Sequence, residues 1–383
     1  MLDFVYFLLA KTLRVIGNPL VTSGSCSHVA ILRHLDSLQN DTDRSQFCFQ
    51  ERCRDCLILP SESYSSSFMN TCPTELHSYI CQLACADDGH TSRSISRVSK
   101  YFNNVSRPFR YQIIAISGID QGIELATRLE TIPIHMRRIR HLFISDRSSR
   151  KIDRQITKRI CDLERNSTIR LLKLAAPTVE TLTFHTSCPA TSTSLIAALF
   201  NIVFPQLVEL VVIGYYPFPH VPGTMPRLKR MHLRGNRNPH GLLHMDSLRI
   251  VCPNLTHLRV SGLSMAISFV EELAEALKKS DGRDDDGDST SLFAPRLPPR
   301  IRTLMVQPGP APSMSGRIGE CFLKDQMMIE RLTDLVGAAG NTKAVRFVLC
   351  ERDTQDGSYT YERARWDWSQ RMNGSEDDWN INA

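Results

Sequence analysis

Between residues 135 and 350, apolar positions recur in a short unit of the form L-x-x-L-x-V, often after proline and before glycine or serine. The first instances are Ile139-x-x-Leu142-x-Ile144, Val179-x-x-Leu182-x-Phe184 and Leu207-x-x-Leu210-x-Val212. Leu228-x-x-Met231-x-Leu233, Leu255-x-x-Leu258-x-Val260, Ile301-x-x-Leu304-x-Val306 and Ala344-x-x-Phe347-x-Leu349 follow. Alternation inside each unit predicts a strand with one face buried. Leu142, Leu182, Leu210, Met231, Leu258, Leu304 and Phe347 are therefore expected to stack in one parallel sheet.

Helix-spaced apolar stripes fall between the strands. They comprise Ile152/Ile156/Ile160/Leu163, then Leu195/Leu199/Ile202/Val203 with Ser194 as cap, then Phe269/Leu273/Leu277 and Met328/Leu332/Leu335. Strand, helix and strand again, at intervals of 21 to 46 residues, predict a solenoid of parallel strands with outer helices. The acidic loop 280–291 interrupts it, and its glycine and acid positions do not fit an EF-hand. All three tryptophans lie in the last 25 residues. The tail 359–383 is expected to close the C-terminal end of the array, with Trp366 on the sheet and Trp368 partly exposed.

Upstream the pattern changes. Residues 1–68 lack sustained periodicity after Leu20, are rich in serine and cysteine, and are expected to be a poorly ordered extension; Met69 is a candidate start. From Cys72 to Phe102 the spacing turns helical, with Leu76/Ile80/Leu83 on one face and Ile95/Val98/Phe102 on the next. Pro73 opens the first helix, Thr91 is placed to cap the second, and Pro108 closes the segment. So few short helices bury too little surface to stand alone. They must lean on the rest of the chain or on a partner.

The 383 residues are 42% hydrophobic and 22% charged, which describes a globular chain rather than a disordered one. Twelve cysteines are too sparse for a disulfide scaffold and predict reduced thiols in the cytoplasm or nucleus. The apolar run Leu2–Ala10 carries Asp3 and no preceding base, against a secretory signal, and nothing approaches the ~18 apolar residues of a membrane span.

The sequence has no phosphate-binding glycine loop, no His-Glu-x-x-His and no Gly-x-Ser-x-Gly, so no catalytic residues, no cofactor and no metal are expected. Cys53-x-x-Cys56 lacks a second ligand pair. His220, His232, His240 and His244 cluster along the chain at a spacing that fits loop and strand ends rather than one ligand set. The net charge is +6, and nine bases crowd Arg137–Arg159 against two acids. With Phe143 as the sole aromatic there, a solvated basic face is expected before nucleic-acid binding.

The block Cys72-Pro-Thr-Glu-Leu76-x3-Ile80-x2-Leu83-x3-Asp87, followed by Ile95-x2-Val98-Ser-Lys-x-Phe102, resembles the F-box motif. Cys72 stands where that motif usually has leucine. The resemblance covers about 40 residues, and with the downstream units the chain looks like fungal F-box proteins with leucine-rich-repeat-like C-terminal regions. It implies an α/β architecture: a helical segment at 69–112 and an irregular leucine-rich-repeat-like solenoid at 113–358. It further implies docking of Pro73, Leu76, Ile80, Leu83, Ile95, Val98 and Phe102 onto the Skp-type adaptor of a cullin–RING ubiquitin ligase, with the repeats holding an unknown protein substrate. The competing expectation is that the helices only cap the array.

Overall fold

A computed structural model describes residues 73–85, 89–147, 158–244, 247–280, 294–312, 318–339, 345–353, 360–372 and 379. Among them, eight strands form one all-parallel sheet ordered β1 to β8, as in the sequence. The strands are β1 (Ile113–Ser117), β2 (His141–Ser145), β3 (Thr181–His185) and β4 (Glu209–Ile213). Next come β5 (Arg230–Arg234), β6 (His257–Leu263), β7 (Thr303–Pro308) and β8 (Arg346–Leu349). Three short helices precede the sheet: α1 (Thr74–Ala84), α2 (His90–Ser96) and α3 (Lys100–Ser106).

Parallel neighbours need long returns, and helices supply most of them. They are α4 (Ile119–Thr131), α5 (Lys158–Ala175), α6 (Pro189–Phe200), α7 (Ser247–Val251), α8 (Ile267–Ser280) and α9 (Ile318–Ala339). The return from β4 to β5 has no α-helix; it is a turn-rich segment that buries Tyr216 and Met225. A last helix, α10 (Tyr361–Met372), follows β8.

The same junction recurs at the entrances of β2 to β7. One carbonyl accepts two consecutive N–H groups from the next unit: Gln112 from Arg140 and His141, Arg140 from Glu180 and Thr181, Glu180 from Val208 and Glu209. Val208, Lys229 and Thr256 repeat the arrangement, and Arg302 accepts from Arg346. The expected register holds without a slip through Leu142, Leu182, Leu210, Met231, Leu258, Leu304 and Phe347. The leading positions Ile139, Val179, Leu207, Leu228, Leu255 and Ile301 are buried in the same core between sheet and helices.

Glycine follows several strands for a steric reason. At Gly235 φ is +135°, and an added Cβ would lie 2.1 Å from the Gly214 carbonyl oxygen. The two backbones thus pass closer than a side chain allows.

Local expectations hold unevenly. Phe269, Leu273, Leu277, Met328 and Leu332 are buried, but Leu163 and Val203 are exposed. α5 presents Leu171, Leu172 and Ala175 to the core instead. α6 begins at Pro189, so Ser194 lies inside it and its hydroxyl donates to the Thr191 carbonyl. The first unit, β1 with α4, was not expected, although Tyr111-x-x-Ile114-x-Ile116 fits the repeated pattern and Ile114 pairs with Leu142. Among the described residues no helix is long and apolar enough to cross a membrane. Residues 1–72 and the acidic loop at 281–293 lie outside the described residues, and Cys53 and Cys56 with them.

Candidate interaction site

The helical segment has a small core of its own. Cys81, Cys85, Ile95 and Phe109 are buried together, with Ala84, Phe102 and Val105 packed against them. Pro73 caps the N-terminus of α1, and the Ser99 hydroxyl accepts the Phe102 N–H at α3. α2 starts at His90 behind Gly89 (φ +92°), so Thr91 is buried in the first turn rather than capping it. Burial pushes the Cys81 thiol up to about 11, leaving a packing residue rather than a nucleophile.

The inward face of α1 carries His77 and Cys81, and Cys85, just past its C-terminus, continues that line of burial. His77 Nδ1 lies 2.8 Å from the Tyr101 hydroxyl, and its ring meets Phe102 edge-on. The neighbouring stripe therefore faces outward. Leu76 is 50% exposed, Pro73 is exposed, and Ile80 and Leu83 are half-buried. Val98 and Phe102 are half-buried, while Ile95 belongs to the segment's core. Tyr79 and Tyr101, which the pattern did not single out, are also exposed.

This segment touches the sheet through other atoms. Arg138 stacks over the Phe109 ring at 5.6 Å, and the Gln112 side chain donates to the Gln82 carbonyl at 3.4 Å. Contact with the sheet and exposure of the α1 strip are thus compatible.

The second candidate surface is the sheet face turned away from helices α4–α9. Alternate residues give it a mixed character, with His141, Glu209, Arg230 and His257 in one row across the strands and Phe143, Thr183, Val211 and His232 in the next. α10 lies on it. Tyr361, Ala364, Trp368 and Met372 pack onto Ile113, Phe143, Val211 and Ile213. The Tyr361 hydroxyl bonds Ser117, and Arg371 reaches Glu209 at 3.1 Å and Thr183 at 3.1 Å. Trp379 packs over Met305, Val348 and Cys350.

The tail thus covers the face of the sheet instead of closing its last repeat. Trp368, not Trp366, is the buried indole. The signal was present in the 361/364/368/372 spacing, which places Trp366 off the stripe, where Arg363 stacks on it at 5.0 Å. Burial, reinforced by Arg259, Arg234 and Arg371, holds His232 well below the ordinary imidazole range. Burial lowers His185 and His257 as well.

Three bases of the basic stretch are engaged within the fold. Arg140 makes a bidentate pair with Glu180 at 2.8 Å, Arg137 donates to the Ile132 and Glu130 carbonyls, and Arg138 covers Phe109. Arg150, Lys151 and Arg154 lie outside the described residues. A more open basic groove, unforeseen from the sequence, is lined by Arg227, Lys229, Arg300 and Arg302. Of the clustered histidines, His220 is exposed and His232 lies on β5, whereas His240 and His244 converge on Glu272. The four do not gather at one place, as their spacing implied, but the approach of His240 and His244 to Glu272 was not foreseen from the sequence.

Comparison with protein-family models, with curated proteins and with solved structures finds no match to this chain.

Proposed function

We propose that this chain is a non-catalytic recognition subunit of a cullin–RING ubiquitin ligase, acting in the cytoplasm or nucleus. Helices α1–α3 dock to a Skp-type adaptor, and the strand–helix array is a leucine-rich-repeat-like solenoid that holds a protein substrate. The observation that carries the reading is the outward strip of Leu76, Ile80, Leu83 and Val98, on helices whose own core and sheet contacts use different residues. Burying such side chains is favourable by about 1.5–3 kcal/mol each, before the costs of ordering and association. Four of them suit a docking patch of moderate affinity.

The competing reading, helices that only cap the array, draws on the Arg138–Phe109 and Gln112–Gln82 contacts. Co-purification with adaptor separates the two. Leu76→Asp and Val98→Asp should each abolish it while leaving the array folded, and Cys72→Leu should tighten it. Wild type that never recruits adaptor, with both aspartate variants unfolding the whole chain, would assign the helices to capping alone.

A further inference from the structure

After β5 the chain turns through residues 239–244 and meets the second turn of α8, where Glu272 sits with its side chain fully buried. The main-chain N–H groups of Gly241 and Leu243 donate to its Oε2 and Oε1, each at 2.5 Å. Those bonds fix the plane of the carboxylate. His240 Nδ1 lies 3.1 Å from Oε2, and His244 Nε2 lies 3.9 Å from the same oxygen. One donor atom from each of the three residues falls within 4.8 Å of the other two. The imidazoles stand 5.6 Å apart at 76°, with the His240 side chain 55% exposed and that of His244 31% exposed.

We propose that His240, His244 and Glu272 form a binding site for a borderline divalent metal ion, Zn2+ foremost. Two imidazoles and one carboxylate are a nitrogen–oxygen set suited to zinc, whereas calcium and magnesium prefer oxygen alone. Ligand atoms around a tetrahedral zinc with bonds near 2.0–2.1 Å stand about 3.3–3.4 Å apart. The observed 3.1 and 3.9 Å bracket that separation. The ligating carboxylate is already oriented by outer hydrogen bonds, as metal carboxylates usually are. Exposure of both histidines leaves room for water at the fourth position. A bound ion ties the turn after β5 to α8.

The test uses the full chain, stripped with chelator and titrated with Co2+ as a spectroscopic stand-in. One equivalent should give d–d absorption without thiolate charge transfer, and Zn2+ should displace it. His240→Ala with His244→Ala should weaken binding beyond the about 10–100-fold typical of losing an outer partner. Both histidines are partly exposed, so the double variant should fold, shown by an unchanged far-ultraviolet spectrum. Glu272→Gln is the less clean probe, because the carboxylate also holds the turn. The proposal is overturned if wild type takes up neither ion. It is equally overturned if the double variant binds as wild type does, or if the band shows thiolate charge transfer that survives the substitutions and so belongs to cysteines.

Discussion

The two faces of the sheet share one backbone and differ in almost everything else. The face toward helices α4–α9 is apolar at nearly every position: Leu142, Leu182, Leu210, Met231, Leu258 and Leu304 form an unbroken row in one core. The opposite face mixes Thr183, Glu209, His232 and Arg259 with an apolar island at Phe143, Val211 and Ile213. The first face must be covered for the chain to fold, and consecutive helices cover it. The second is covered by residues from the far end of the chain, seated on the island by Trp368 and anchored by Arg371 on Glu209. One face specifies the architecture. The other is where specificity for a ligand can reside, and under the proposed function a substrate reaching it meets the chain's own tail.

The largest expected effect tests the apolar face. Leu210→Ala and Leu258→Ala, each fully buried at the centre of the row, should cost about 2–5 kcal/mol in denaturant unfolding. Costs below about 0.5 kcal/mol for both would contradict the packing, since large-to-small changes in a close-packed core are always felt.

The difference between the faces also decided what the sequence revealed. Period-two alternation with leucine in fixed places located seven strands and their register, because every inner position obeys the same burial constraint. β1 has isoleucines and a tyrosine at those positions and was passed over, although it pairs identically. The docking of α10 was harder to see, because the outer face has no periodic rule to announce where a partner segment will land. Helical spacing within the tail did hold the distinction, since 361/364/368/372 share a face that excludes 366, yet the reading that chose Trp366 over Trp368 missed it. The meeting of His240 and His244 with Glu272 was invisible: some 30 residues of chain separate them, and only the packing of the turn onto α8 brings them together.

Trp368→Ala should show how firmly the tail is held. The indole is buried, and truncating a buried tryptophan costs about 3–5 kcal/mol. The lower end, about 3 kcal/mol, is expected, because α10 can release from the sheet without opening the inner core. Hydrogen exchange should then rise in 361–372 while β2–β7 stay protected. Uniform loss of protection would mean that the two faces fold as one unit.

Acid should act first on the outer face. His141 is pushed down to about 4, chiefly by burial and then by Arg140, and burial lowers His185, His232 and His257. In the unfolded chain these rings take up protons near pH 6.5. Below that value the unfolded state binds more protons, so stability is present above 6.5 and is lost on acidification, down to about 4 for His141. Each histidine contributes a slope of at most about 1.4 kcal/mol per pH unit. Glu164 opposes this trend. Burial and the charge of Asp146 raise it to about 7, so its contribution weakens as pH rises from 4.5 toward 7. In a Glu164→Gln background, melting temperature should fall steadily from pH 6.5 to 4. A flat profile there would show that the histidines are not held neutral.

The smallest effect belongs to Trp366, and its smallness is informative. Its ring is 54% exposed, with Arg363, four-fifths of a helical turn away along α10, stacked on it. An exposed cation–π contact is worth about 0.5–1 kcal/mol. Trp366→Ala should therefore cost under about 1 kcal/mol, several-fold less than Trp368→Ala in the same helix. Two variants sharpen the contrast optically, each in a Trp379→Phe background. With Trp368→Phe the remaining Trp366 should be quenched readily by acrylamide, whereas with Trp366→Phe the remaining Trp368 should be protected. Equal quenching would mean that α10 does not hold a fixed face against β1–β4, and the outer face would then be open to any ligand without displacement of the tail.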